Sequence, residues 1–75
     1  MNIACITYRD WAIDIYEKVY EIYKDEHNFL IWKKKDDFDA SKLKDFRPDL
    51  ILWYGWSWIV EDVFVNDHES VMLHP

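Results

Sequence analysis

Short apolar runs recur along this chain, each too short for a buried helix, with polar segments of helical period between them. Asn2 to Thr7 reads Asn-Ile-Ala-Cys-Ile-Thr, His27 to Trp32 reads His-Asn-Phe-Leu-Ile-Trp, and Leu50 to Tyr54 reads Leu-Ile-Leu-Trp-Tyr. A strand with one wet face alternates apolar and polar residues, whereas a strand covered on both faces is apolar throughout. These runs predict strands of a parallel sheet with helices on its faces. Ser70 to His74 (Ser-Val-Met-Leu-His) predicts a fourth.

The intervening segments fit that scheme. Apolar residues at 12, 15, 16, 19, 22 and 23 trace one face of a helix from Trp11 to about Tyr23. Asp10 is its candidate cap, since a carboxylate there can accept a free N–H of the first turn. Ala40 to Phe46 predicts a short helix capped by Asp39, with Leu43 and Phe46 inward. It ends at Arg47, because the residue before a proline is pushed out of the helical region. Trp58 to about Phe64 predicts an irregular helix. The order β-α-β-α-β-(α)-β implies parallel pairing through right-handed crossovers.

Size and composition narrow the function. A chain of 75 residues makes one domain. Its single cysteine, Cys5, excludes an internal disulfide, and three scattered histidines with no paired spacing argue against a zinc cluster. The longest apolar-rich run, Leu50 to Val60, falls short of the roughly 20 residues a membrane span needs. The net charge is −6, yet all 9 Lys and Arg lie before Asp49. The one basic cluster, Lys33-Lys34-Lys35, is followed at once by Asp36-Asp37, which argues against a nucleic-acid surface. The start carries no secretory signal, and with a lone thiol this leads us to expect a cytoplasmic protein.

In parallel sheets of this kind ligands sit beyond the carboxyl ends of the strands. Those ends are Tyr8-Arg9-Asp10, Lys33-Lys34-Lys35, Gly55-Trp56-Ser57-Trp58 and His74-Pro75. The first has no glycine, so a dinucleotide fingerprint is excluded there. Arg9 is a candidate for an anionic substrate group, or a solvated surface residue. Gly55, the only glycine, allows close backbone approach. Trp56 and Trp58 beside it suit the walls of a pocket for a flat heterocycle, or else pack with Trp53 in the core. His74 is a candidate general acid or oxyanion donor, or an exposed histidine without a role. His27 and His68 read as structural. Cys5, in mid-strand, reads as a buried apolar residue rather than a nucleophile.

Three patches resemble the N-terminal part of the folate-dependent formyltransferases, which act on initiator tRNA, glycinamide ribonucleotide or amino sugars. They are Ile6-Thr7-Tyr8-Arg9-Asp10-Trp11-Ala12, Pro48-Asp49 with the following strand and Tyr54-Gly55-Trp56-Ser57-Trp58-Ile59, and Val71-Met72-Leu73-His74-Pro75. The last resembles the start of the family's Asn-x-His-Pro signature. The resemblance implies 10-formyltetrahydrofolate as formyl donor and a primary amine as acceptor. It implies that Gly55, Trp56, Ser57, Trp58, Ile59 and Val60 line the donor site, partly through backbone groups, and that His74 assists the tetrahedral intermediate. Met72 stands where the family has asparagine, and a thioether donates no hydrogen bond.

The reading that results is a three-layer, Rossmann-like half-domain with strand order 2-1-3-4. Residues 1–75 are expected to be the N-terminal portion of a formyltransferase catalytic domain, truncated after the fourth strand and inactive alone. The exposed fourth strand is expected to self-associate, or to pair with the remainder, through residues 70–75. The rival reading is a small non-enzymatic α/β interaction module. A receiver domain fits less well, because the first and third strand exits lack its acidic cluster and phosphoacceptor.

Overall fold

The computed structural model describes residues 1–56 and, as backbone, residues 69–73. They form strand β1 (Asn2–Ile6), helix α1 (Asp10–Tyr23), strand β2 (Asn28–Trp32), a short 3-10 turn (Lys35–Asp37), helix α2 (Ala40–Phe46), strand β3 (Leu50–Tyr54) and strand β4 (Glu69–Leu73). The sheet is parallel in every pairing, with order β2-β1-β3-β4. That is the order expected from the sequence. β4 spans 69–73 instead of 70–74, and the expected helix at 58–64 lies outside the described residues.

Period-two side-chain alternation divides the core between the two faces. Ala4, Ile6, Ile51 and Trp53 point to the α2 side and pack with Leu43, Trp32 and Trp56. Ile3, Cys5 and Leu52 point to the other side and pack with Tyr16 of α1. The chain steps from β1 outward to β2 and then back past β1 to β3. Right-handed crossovers in opposite directions put their helices on opposite faces, giving three layers.

The helices differ from expectation at two points. Arg9, not Asp10, occupies the N-cap position of α1, and no side chain caps it. The Thr7 hydroxyl accepts the Arg9 N–H at 3.0 Å, which turns the chain early, and the Arg9 carbonyl then accepts from Ala12 and Ile13. Asp10 instead places its charge in the first turn, where the helix dipole favours it. The apolar stripe is also narrower than its spacing suggests. Ile22 is 68% exposed and Tyr23 is 43% exposed. At 100° per residue, Ile22 lies about 120° round from Tyr16. Tyr23 reaches the last turn and meets the His27 ring at 6.1 Å between centroids.

α2 follows its sequence closely. Asp39 accepts the Lys42 N–H at 3.2 Å, Leu43 is buried, and Arg47 closes the helix in the left-handed region at φ 53°. The Asn2 side chain donates to the Phe46 carbonyl at 2.9 Å, so β1 satisfies an orphan carbonyl at the end of α2. His27 precedes β2, and its Nδ1 lies 3.1 Å from the N-terminal ammonium, a structural setting as expected.

Candidate functional site

The pairing of β1 with β3 is shorter than its neighbours. It covers Ile3–Cys5 against Leu50–Leu52, whereas β1–β2 and β3–β4 each run the length of the strands. Beyond Cys5 and Leu52 the two strands part, at the point where the order of connection reverses. This is where an open α/β sheet forms its ligand crevice.

Tyr16 forms the floor of the crevice. Its hydroxyl lies 2.9 Å from the carbonyls of Ile6 and Leu52 and accepts the Tyr54 N–H at 2.9 Å. It bridges the strands just where their ladder stops. Burial holds this phenol neutral, with a pKa well above the ordinary tyrosine range, although its hydrogen bond from the Tyr54 N–H pulls the other way. Sequence reading placed Tyr16 only on the apolar stripe and missed this role. The available signal was a hydroxyl among positions otherwise suited to aliphatic side chains.

Gly55 closes β3 at φ 70°. A Cβ on it would come within 2.7 Å of Arg9 Cγ and 3.1 Å of Trp11 Cζ2. The glycine therefore serves the approach of α1's first turn to the exit of β3. It joins two of the three sequence patches that carried the resemblance. The close approach it permits is to these protein side chains.

The Trp56 ring does not stand as a wall for a heterocycle. It is 2% exposed and sits in the α2-side core, with centroid distances of 5.3 Å to Tyr8, 5.7 Å to Phe38 and 6.0 Å to Trp53. The backbone turns there through a Trp56 N–H to Trp53 carbonyl bond of 3.2 Å, which carries the ring back beneath the sheet. Any role of Trp56 toward a donor is left to its backbone. Ser57, Trp58, Ile59, Val60 and His74 lie outside the described residues. Met72 lies on β4 in register with Trp53.

Arg9 is exposed at the mouth of the crevice, its guanidinium carbon 4.9 Å from the Tyr8 ring centroid. Lys35, from the exit of β2, brings its ammonium to 4.5 Å of the same ring. Two cations thus gather on one aromatic ring at adjacent strand exits, beside the N-terminus of α1. The arrangement favours an anion. Sequence reading gave Arg9 a role and put Lys35 only among the strand exits, because the 3-10 turn that aims the lysine has no strong local signature.

The remaining chemistry is limited. Cys5 is buried and its thiol is pushed up to about 12 by loss of water, so it is no nucleophile at neutral pH. Among the described residues no group of three His, Cys, Asp or Glu can hold a metal ion, and no helix is long and apolar enough to cross a membrane.

No protein-family profile matches the chain, and no curated protein matches it. A solved structure does: methionyl-tRNA formyltransferase from Clostridium thermocellum superposes with a TM-score of 0.79 at 32% identity, over 96% of this chain. This chain spans 32% of that one. The resemblance to the N-terminal part of the formyltransferase family, first read from three sequence patches, therefore holds in three dimensions.

Proposed function

We propose that this chain is the N-terminal portion of a formyltransferase catalytic domain, which moves a formyl group from 10-formyltetrahydrofolate to a primary amine. The observation that carries the reading is the likeness to methionyl-tRNA formyltransferase over 96% of the chain at 32% identity. Strands that part at the switch point, with Gly55 at the rim, supply the kind of crevice such a reaction needs.

In this reading the backbone from Gly55 through Trp56, Ser57, Trp58 and Ile59 to Val60 lines the donor site. The bound folate supplies the formyl group. Arg9, with Lys35 near it, binds an anionic group of the acceptor and so orients the amine. His74 holds a proton near the carbonyl oxygen as negative charge develops there. Met72, at the position of the family's asparagine, brings no hydrogen-bond donor to the reaction. The chain works in the cytoplasm and uses residues 70–75 to pair with the remainder of its domain or with a second copy. Alone it transfers no formyl group, since it brings a single acid–base candidate to the site.

Calorimetric titration with 5-formyltetrahydrofolate, a stable analogue of the donor, tests the reading. Saturable heat is expected, and none at millimolar ligand refutes the donor site. Formyl transfer by the 75-residue chain alone would refute the claim of inactivity.

A further inference from the structure

Among the described residues, β2 ends the sheet on the side away from β4. Its inner groups are engaged by β1: Asn28 N–H donates to Met1, and the Trp32 carbonyl accepts from Thr7. Parallel pairing uses alternate residues, so the N–H and C=O of Phe29 and Ile31 face outward. The outward N–H groups at either end are already engaged. His27 N–H donates to Tyr23, and Lys33 N–H donates to the Asp37 carboxylate at 3.3 Å. The edge therefore offers one short window. It contains no proline, bulge or charged side chain of the kinds that usually block an edge.

The charges flanking this window have a pattern of their own. Before the strand stand Glu26 and His27, and after it Lys33 and Lys34. Read in opposite directions about Leu30, Glu26 meets Lys34 at each end of the window and His27 meets Lys33; farther out the chain leaves the strand, into the turn after α1 and the 3-10 turn. The same centre is the one at which Phe29 of one strand faces Ile31 of another. That register satisfies all four outward groups of both strands with four hydrogen bonds about a two-fold axis. Glu26 and Lys34 are exposed.

We propose that β2 is a self-association edge, on which a second copy of this chain pairs antiparallel about Leu30 to give one continuous sheet. The inference is independent of the formyltransferase reading, and it uses the opposite edge from the one given to β4.

Light scattering across a concentration series, on the wild-type chain and on Lys34→Glu, Glu26→Lys and the double variant, tests it. Each single variant turns two attractions into two repulsions across the axis. The dimer dissociation constant should rise at least about tenfold in each and return toward wild type in the double variant. Hydrogen exchange gives a readout that needs no variant: the Phe29 and Ile31 amides should gain protection as concentration rises. A monomer at all concentrations overturns the proposal. So does a dimer whose affinity ignores both charge changes, or one that leaves the Phe29 and Ile31 amides unprotected.

Discussion

Replacing Tyr16 by phenylalanine removes one oxygen and leaves the ring in place. That oxygen lies 2.9 Å from two carbonyls, of Ile6 and Leu52, and 2.9 Å from the Tyr54 N–H. A phenol has one proton, so it donates to one carbonyl at a time and accepts from the amide. Two hydrogen bonds are lost at about 1 kcal/mol each, and a part-buried N–H is left without its partner at about 1 kcal/mol more. The expected loss is about 2–3 kcal/mol. A chain of this length has roughly 4–11 kcal/mol in all, so the variant gives up a large fraction of its stability. Urea unfolding followed by tryptophan emission measures it directly, since Trp53 and Trp56 are both buried. An unchanged slope with a lower midpoint is expected. A loss under about 0.5 kcal/mol would refute the reasoning, by showing that water replaces the hydroxyl between the parted strands.

Other perturbations have equally definite outcomes. Gly55→Ala combines a left-handed backbone with a Cβ 2.7 Å from Arg9 Cγ, and should cost about 1–3 kcal/mol in the same urea assay. Adding Arg9→Ala should recover only the steric part, so non-additivity in the double variant is the signature to look for. Asp39→Ala removes the cap of α2 and should cost about 1 kcal/mol, while Asp39→Asn should cost less. The Cys5 thiol is pushed up from 9.0 to about 12 in the fold, so the unfolded chain releases its proton first as pH rises. Its contribution to stability is complete below pH 9 and is lost between about pH 9 and 12; Cys5→Ala should flatten the fall of the urea midpoint over that range. Tyr16 adds a loss of the same sign above pH 10, from its own raised pKa.

Local sequence determined the elements. Non-alternating apolar runs at β1 and β3 could be buried only on both faces, which requires a parallel sheet with helices on each side. Asp39 and Pro48 bracket α2 because a cap and a proline act within one turn of chain. Alternation of strands and helices, with fixed crossover handedness, left few topologies, and the observed order is among them.

What only the tertiary structure decided depends on residues far apart in sequence. Arg9 took the N-cap position expected of Asp10 because β1 ends where the Thr7 hydroxyl can catch the Arg9 N–H and turn the chain there. Trp56, two residues past β3, went into the core because Tyr8, Phe38 and Trp53 converge there from three segments. Gly55 is required by Arg9 and Trp11, more than forty residues earlier. Tyr16 became the bridge between β1 and β3 because the strands separate after Cys5 and Leu52, leaving polar groups that a phenol can reach. Periodicity and capping act over a few residues and are written into any short window of sequence. A crevice is a gap between segments, and its lining is fixed only when the sheet has brought them together.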